Sequence, residues 1–211
     1  MTRVGVIGSG DVGKALAKGF KKHGYDVEIA SREGGKLAEW SKAEGIAEGT
    51  FAAVAAKAEV VVIAIGGAVA VDAVTSLADS LAGKVVIDAT NPIGGPPVNG
   101  ILTFFTGPND SLMERLQKAV PAARFVKAFS CVGNAFMVNP SFPGGRPTMF
   151  IGGNDADAKK TVVTILDQFG WDSEDIGGVE AARAIEPLCQ LWCAPGFQRN
   201  QWAHAFKLLK M

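Results

Sequence analysis

The sequence predicts an α/β fold with a Rossmann-type, doubly wound and mostly parallel sheet, and two observations support this prediction. Apolar runs alternate with helical patterns along most of the 211 residues, which is typical of strand–helix–strand units. A glycine-rich turn at residues 8–13 also lies between the first apolar run and the first helical pattern. We therefore expect one Rossmann-type domain over residues 1–177. A small C-terminal helical segment, residues 178–211, is expected to close the cleft at the carboxyl edge of the sheet.

The order of elements follows from the same patterns. Residues 60–65 form an unalternating apolar run, as expected of a strand buried on both faces. Ser111 and Glu114 have the spacing of a capping box and are predicted to begin a helix. The Gly- and Pro-rich segment 92–109 is predicted to be a long loop. Predicted strands lie at residues 3–7, 25–30, 60–65, 84–89, 124–129, 148–152 and 171–176, and predicted helices at 11–23, 36–43, 51–58, 68–81, 111–120, 155–169, 179–193 and 198–209.

The overall composition excludes several classes of partner. Lys plus Arg and Asp plus Glu both number 21, so no global charge favours nucleic acid or acidic membranes. The longest uncharged apolar stretch, residues 60–71, is too short and too interrupted by glycine to span a bilayer. The three cysteines, an odd number, suit a reducing compartment better than a disulfide framework. We expect a cytoplasmic protein without a nucleic-acid or membrane partner.

The glycine-rich turn has the pattern of a dinucleotide fingerprint. Gly8 permits a tight turn, Gly10 lets the backbone approach a pyrophosphate, and Gly13 allows close packing of the helix on the strand. The first helix would also offer backbone amides and the positive end of its dipole to the phosphates. The alternative is a turn that merely packs a helix on a sheet. The candidate cofactor-binding residues here are Gly8, Ser9, Gly10, Asp11, Val12 and Gly13.

The end of the second predicted strand indicates which dinucleotide is bound. An acidic residue at this position would accept hydrogen bonds from a ribose, whereas a 2′-phosphate needs cationic or hydroxyl donors. This chain has Ser31 and Arg32 there, with Lys36 one turn further on. A guanidinium can bind a phosphate through two parallel hydrogen bonds. The sequence therefore predicts NADP; the alternative is a solvated Ser-Arg turn.

Three further loops are expected to meet at the carboxyl edge of the sheet, where open parallel sheets bind ligands. Ile65 and Gly66 follow the third strand, and their loop would leave room for the cofactor. Thr90 and Asn91, before Pro92, could hydrogen-bond the nicotinamide ribose and carboxamide, or they form an ordinary Asn-Pro turn. Asp88, inside the fourth strand, is interpreted as a paired buried carboxylate or as a group that orients this loop.

No general acid or base stands out, and the catalytic residues are left unassigned. His23 is predicted far from the reaction site, and His204 lies near the C-terminus. Cys189 and Cys193 share a helix face, but two ligands do not make a zinc site, so no metal is expected. Cys131 lies either near a substrate or buried as a small apolar residue. Hydride transfer between two stacked ring cofactors needs little proton transfer and would suit such a site.

Several motifs together resemble one known family. They are Gly8-x-Gly10-x-x-Gly13, Ser31-Arg32, Asp88-Ala-Thr-Asn-Pro92, Val126-Lys-Ala-Phe129, Ile151-Gly-Gly-Asn-Asp155 and Arg183-x-x-Glu186-Pro187-Leu188. The pattern resembles the NADPH-dependent reductases of the deazaflavin coenzyme F420 and the cytosolic domain of the STEAP metalloreductases. The resemblance covers nearly the whole chain.

The resemblance implies binding of NADP and transfer of hydride between the nicotinamide and C5 of a deazaflavin, or a flavin in relatives. By motif, Ser9, Ser31, Arg32 and Lys36 would hold the phosphates, while Ile65 and Asn91 would flank the nicotinamide. The pocket for the second substrate would be lined by Ser130, Cys131, Val132, Asn134, Pro187 and Leu188. Relatives often carry Asn at the position of Ser130.

Two other functions remain open at this stage. One is an NADPH-dependent reductase of a small carbonyl or imine, which would need a proton donor near Ser130 or Asn134. The other is a non-catalytic NADP-sensing module, whose C-terminal aromatic residues would form an interface. We also expect a homodimer in which residues 179–209 pack against a second subunit.

Overall fold

A six-stranded parallel sheet forms the centre of the protein, in the strand order β3-β2-β1-β4-β5-β8, and confirms the Rossmann-type fold. The computed structural model describes residues 1–211. The strands are β1 (Arg3–Ile7), β2 (Asp26–Ser31), β3 (Ala47–Thr50), β4 (Val60–Ile63), β5 (Val85–Asp88), β6 (Ile93–Val98), β7 (Ile101–Phe104), β8 (Arg124–Lys127), β9 (Thr148–Ile151) and β10 (Asp172–Asp175). The strand order reverses between β1 and β4, which opens a crevice at their carboxyl ends.

Helices cover both faces of the sheet. They are α1 (Asp11–Lys22), α2 (Ala38–Glu44), α3 (Phe51–Lys57), α4 (Ala70–Ser76), α5 (Ala78–Leu81), α6 (Leu112–Ala119), α7 (Ala156–Gln168), α8 (Ala182–Ile185) and α9 (Pro187–Arg199). The apolar sides of α1 and α7 pack on one face, and those of α3 to α6 pack on the other. All four residues of β4 are buried, as expected of a strand covered on both faces. None of the helices is both long and apolar enough to cross a bilayer.

The predicted loop 92–109 is wrong, because this segment contains the antiparallel hairpin β6–β7. Its register is interrupted twice, and the hairpin forms a separate two-stranded sheet. Such an isolated ribbon tolerates Pro96 and Pro97, which a central strand would not. Strand β3 was not predicted, since Ala47-Glu-Gly-Thr50 has no apolar alternation and the strand lies at the edge of the main sheet.

The C-terminal segment also differs from expectation. Helix α9 continues through Pro195 and ends where Asn200 adopts a left-handed conformation with φ of 53°. The predicted helix 198–209 is wrong, because residues 201–211 contain no helix. The chain instead returns to β9, where Thr148 donates its backbone N–H to the carbonyl of Phe206 at 2.8 Å. Strands β9 and β10 pair with each other in parallel, and the Lys127–Gly152 bridge is the one backbone pairing that links this pair of strands to the main sheet.

Candidate active site

The glycine-rich turn has the geometry that its motif requires. Gly8 has φ of +141°, and a Cβ placed on it would lie 2.1 Å from the carbonyl oxygen of Ala64. A Cβ on Gly13 would lie 2.1 Å from the carbonyl oxygen of Gly8, so α1 packs directly on the turn. Gly10, in contrast, faces open space, with no atom within 4 Å of a Cβ built there. The turn therefore leaves one open position, at the start of α1, that a pyrophosphate could approach.

The N-terminus of α1 is free to bind an anion. Gly10 is the N-cap residue, and no side chain caps the helix. The backbone amides of the first turn are therefore available to a ligand. Helix N-termini bind anions preferentially, because their N–H groups are unpaired and the helix dipole is positive there. Backbone hydrogen bonds fix the turn between its neighbours, from Gly8 to Ala30 at 3.0 Å and from Ala64 to Ile7 at 2.8 Å.

A cleft of about 1000 Å³ adjoins this turn and reaches the ends of β2 and β4. Of the predicted cofactor-binding residues, it brings together Gly8, Ser9, Gly10, Arg32, Lys36, Ile65 and Gly66. Asp11 lies instead in a neighbouring groove along α1, and Val12 packs partly against the core. Prediction missed Phe51, Val69 and Asp72, which also line the cleft. They could have been predicted only from the position of neighbouring elements. Phe51 follows β3, and because β3 was not predicted, Phe51 was not placed beside the end of β2.

The groups at the end of β2 fit a 2′-phosphate. Arg32 and Lys36 are exposed, and neither forms an ion pair with the protein. The hydroxyl of Ser31 is buried and has no hydrogen-bond partner. Ser31 directly precedes Arg32, which lines the cleft, and buried polar atoms in native proteins are nearly always bonded, so its unbonded hydroxyl is a candidate ligand contact. Two unpaired cations and an unsatisfied hydroxyl are the donors that a phosphate dianion requires.

The loop after β5 is fixed by Asp88. The Oδ1 atom of this buried carboxylate accepts hydrogen bonds from the Thr90 backbone N–H at 2.9 Å and from the Thr90 hydroxyl at 2.6 Å. Asp88 is thus a paired buried carboxylate and also orients the loop. The Thr90 side chain is occupied inside the protein, and Pro92 is buried. The Oδ1 atom of Asn91, by contrast, is buried without a partner and remains able to bind a ligand.

The loops after β4 and β5 touch. A Cβ on Gly67 would lie 2.1 Å from the carbonyl oxygen of Asn91, so only glycine allows this approach. Gly66, next to it, faces open space and lines the cleft. The position of Asn91 is therefore determined from two sides, by Asp88 through Thr90 and by the backbone at Gly67.

The loop after β8 begins with a strained residue. Phe129 is buried and has φ of 65°, which is rare for a bulky side chain and is often found at functional sites. Ser130 follows it, and its buried hydroxyl has no hydrogen-bond partner. Val132 is buried as well, whereas Asn134 is exposed and lines the groove along α1.

Cys131 is buried as a small apolar residue, which was the second of the two predicted alternatives. Its thiol lies 3.8 Å from the carbonyl oxygen of Thr148 and 3.9 Å from the Met149 sulfur, inside the core. Burial raises the pKa of Cys131 to about 11. The assignment of Cys131 to the substrate pocket is therefore corrected: its sulfur is part of the packing.

Helix α9 packs against the loop after β8. A Cβ on Gly133 would lie 2.3 Å from the ring of Trp192. The Trp192 ring stacks on His204 with centroids 5.0 Å apart. Pro187 is exposed in the first turn of α9, and Leu188 is half-buried beside it. The structure thus brings the C-terminal segment to the predicted second-substrate loop.

Lys127 is a buried lysine that was not predicted as a site residue from the sequence. The side chains of Lys127, Asp88 and Glu186 are almost completely inaccessible, and Lys127 lies 2.9 Å from Asp88 and 3.1 Å from Glu186. The available signal was the lysine within the apolar run Phe125-Val-Lys-Ala-Phe129, since a buried lysine requires an acidic partner.

The fold and the cleft define the class: a Rossmann-type dinucleotide-binding protein. A family model described as NADP oxidoreductase, coenzyme F420-dependent, matches residues 3–92. A protein from Arthrobacter sp. FB24, assigned as an F420-dependent NADP reductase, is 32% identical over the whole of both chains and superposes with a TM-score of 0.92. The chain belongs to this F420-dependent NADP oxidoreductase family and is an NADP-dependent oxidoreductase.

Two curated relatives extend the comparison. The F420-dependent NADP reductase of Methanocaldococcus jannaschii is 25% identical over 195 residues, which cover 87% of each chain. Metalloreductase STEAP3 of Rattus norvegicus is 28% identical over 186 residues. That match covers 88% of this chain but only 36% of STEAP3. The chain therefore corresponds to about a third of that relative.

Proposed function

We propose that this protein transfers a hydride between NADP(H) and a second ring cofactor, either the deazaflavin F420 or a flavin. The observation that carries the proposal is the end of β2, where unpaired Arg32 and Lys36 and the unbonded Ser31 hydroxyl adjoin the glycine-rich turn. The relatives named for F420 support the choice of deazaflavin. NADPH supplies the hydride when it is bound.

The residues of the chain have separable roles in this proposal. Ser9, Ser31, Arg32 and Lys36 hold the phosphates, with the amides at Gly10 to Gly13 on the pyrophosphate. Ile65 and Asn91 flank the nicotinamide. The second ring cofactor lies against the loop after β8 and the start of α9, and its pocket is lined by Ser130, Val132, Asn134, Pro187 and Leu188.

The ionisable groups at this edge favour transfer by proximity and stacking. Asp88 and Lys127 are buried and bonded to each other, and the pKa of the Cys131 thiol is raised by burial. None of them is available to exchange a proton with a substrate at neutral pH. A reaction between two ring cofactors depends mainly on holding the reacting carbons close together.

Stopped-flow absorbance would test the reaction directly. Purified protein is mixed with NADPH and with F420, FMN or FAD as acceptor, and oxidation of NADPH is followed. We expect rapid single-turnover oxidation with at least one of these acceptors. No transfer to either class, with NADPH shown to bind, would refute the proposal.

The Arg32→Asp variant tests the choice of NADP. Replacing the guanidinium with a carboxylate removes a charge-assisted bond and adds repulsion, so NADP affinity should fall about a hundredfold. NAD affinity should change far less, because NAD has no 2′-phosphate. Isothermal titration with both dinucleotides measures the difference. Arg199→Asp, on the surface of α9, is the control and should change neither affinity; equal losses in Arg32→Asp would show that Arg32 does not bind the phosphate.

A second candidate function, reduction of a small carbonyl or imine, is favoured by Ser130. Its unbonded hydroxyl follows the strained Phe129 and could donate a proton to a substrate heteroatom. Ser130→Ala separates the two functions. Because Ser130 also lines the proposed pocket, the variant should bind a ring cofactor more weakly but transfer hydride at a similar rate at saturation if the first proposal holds, whereas a carbonyl or imine reductase should lose most of its kcat with its proton donor.

The protein is further proposed to be a cytoplasmic homodimer that uses the hairpin and α9. Val98, Ile101, Leu191 and Phe197 are exposed apolar residues, and Gln190 of α9 bonds the carbonyl of Leu102 in β7 at 2.7 Å. Apolar residues grouped on two packed elements are typical of an interface. Light scattering should show a dimer that Leu191→Asp dissociates and that Val163→Asp, on α7, leaves intact. A monomeric wild-type protein would contradict this.

A further inference from the structure

All three buried charged residues of the chain lie in one cluster. Lys127 donates from Nζ to Asp88 at 2.9 Å and to the Thr90 carbonyl at 2.5 Å, and it lies 3.1 Å from Glu186. We call Asp88, Thr90, Lys127 and Glu186 the Lys127 cluster. Each charge has a partner, which removes much of the cost of burying it.

The cluster joins three parts of the fold. Asp88 and Lys127 are the last residues of the neighbouring strands β5 and β8. Glu186 precedes α9, and its carboxylate accepts the backbone N–H groups of Leu112 and Met113 at 3.0 Å each. Lys127 therefore connects the cofactor loop after β5 with the start of α6 and with the C-terminal segment.

The Thr90 residue is held at three points. Asp88 accepts its N–H and its hydroxyl, and Lys127 bonds its carbonyl oxygen. The next residue is Asn91, whose Oδ1 atom is buried without a partner and whose carbonyl lies against Gly67. Fixing the carbonyl of Thr90 fixes the peptide from which Asn91 begins, and the contact with Gly67 restrains the carbonyl at its other end, so the backbone that carries the Asn91 side chain is held from both sides.

Stability alone gives little reason for charges at this place. Apolar residues of similar volume often stabilise a protein as well as a buried ion pair or better. They would have no directed bond to the Thr90 carbonyl. Burial by itself would lower the pKa of Lys127, but the carboxylates of Asp88 and Glu186 outweigh it and raise the pKa. The ammonium group therefore remains charged at neutral pH.

We propose that Lys127 is a positioning residue that sets the Thr90–Asn91 loop at the nicotinamide end of the cleft and ties it to the start of α9. This inference rests on the proposed function. Lys127 acts through Asn91 and does not touch the cofactor itself.

Isothermal titration with NADP and with 2′,5′-ADP tests the inference, because 2′,5′-ADP carries the 2′-phosphate but lacks the nicotinamide half. The variants are Lys127→Met and the charge-compensated double variant Lys127→Met/Asp88→Asn. Both should bind NADP about tenfold more weakly, as expected when one buried hydrogen bond no longer fixes the loop. Affinity for 2′,5′-ADP should stay within about twofold of wild type. Val162→Ala, in the core of α7, is a destabilising control that should leave the ratio of the two affinities unchanged.

The outcomes separate the inference from the proposed function. If the variants lose affinity for NADP and 2′,5′-ADP equally, or lose affinity for neither, the proposed role of Lys127 is overturned. A wild-type protein that fails to bind 2′,5′-ADP would instead refute the NADP site. Lys127→Met leaves two facing carboxylates and risks unfolding, which the double variant avoids. If both variants fail to fold, the cluster serves folding alone and the inference is overturned.

Discussion

At the residue scale, unsatisfied polar atoms mark the ligand edge of this molecule. Ser31, Asn91 and Ser130 each have a buried side-chain oxygen without a hydrogen-bond partner. They follow or end β2, β5 and β8, and the carboxyl ends of these parallel strands face the same edge of the sheet. Two other buried atoms without a partner, in Ser173 and His204, belong to β10 and the C-terminal segment rather than to the ends of these strands. Burying such atoms unbonded is costly, so the three at the strand ends support a polar ligand there.

The three cysteines provide a residue-scale prediction. Cys131 is buried with its pKa raised to about 11, whereas Cys193 is half-buried and its pKa is lowered by a hydrogen bond from Cys189. Alkylation requires the thiolate and access to it. Iodoacetamide at pH 8 should therefore modify Cys193 first and leave Cys131 unmodified, as measured by peptide mass spectrometry. All three should react in denaturant, and equal native labelling of Cys131 and Cys193 would contradict the assignment.

At the element scale, the start of helix α6 was predicted correctly from the sequence. Ser111 accepts the N–H of Glu114 at 3.2 Å, which confirms it as the N-cap of α6. The Glu114 carboxylate accepts the Ser111 hydroxyl at 2.7 Å, where a capping box has the carboxylate accept the backbone N–H of the N-cap residue. Arg183 of α8 also bonds this carboxylate, at 2.9 Å through Nε. The hydrogen bond from Arg183 is the main reason that the pKa of Glu114 is lowered from its usual value of 4.5.

This pKa shift predicts a pH-dependent effect of Arg183→Ala. A lowered folded-state pKa adds stability above the unfolded-state pKa, and this stability is lost as pH falls through the folded-state value. The variant should therefore be less stable than wild type at pH 7, with a difference that shrinks below pH 4.5. Urea unfolding at several pH values measures it. Arg115 pairs with Asp110 rather than with a residue of α8, so Arg115→Ala is the control. If the stability difference between Arg183→Ala and wild type does not change with pH, ionised Glu114 is not its cause.

Other elements were only partly readable from the sequence. Strands β1 and β4 have strong apolar runs and β2 alternates polar with apolar residues, and their predicted bounds lie within two residues of the structure. The hairpin β6–β7 was hidden because the Gly and Pro residues of β6 are typical of loops and the strand has no buried apolar face. The glycine turn and Arg32 were found from spacing. The contacts of Lys127 with Asp88 and Glu186 were not found, because they join residues far apart in the chain.

At the scale of the whole molecule, the final residues tie distant elements together despite having no helix. The indole N–H of Trp192 donates to the carbonyl of His204 at 2.9 Å, and Thr148 bonds Phe206. Lys207 pairs with Asp172 of β10. The tail thus connects α9 with the β9–β10 sheet.

Removal of residues 201–211 should therefore lower the melting temperature and, compared with a full-length Trp202→Phe reference that also lacks this indole, shift tryptophan emission to longer wavelength. Both effects follow from exposing Trp192, which is 6% exposed in the intact chain. Differential scanning fluorimetry and emission spectra measure them. Deleting only residues 209–211 is the control, since Leu209 and Met211 are exposed and the Lys210–Glu174 surface pair contributes little. Equal effects of the two deletions would contradict this account.

The two amides that Glu186 accepts, those of Leu112 and Met113, have a consequence for cooperative opening. Both belong to the first turn of α6, yet their acceptor lies 74 and 73 residues away in sequence, next to Lys127. These protons can exchange with solvent only when the contact between α6 and the residue before α9 opens. Local fraying of α6 is thereby coupled to separation of the C-terminal segment, so that both regions behave as one unit in native-state hydrogen exchange.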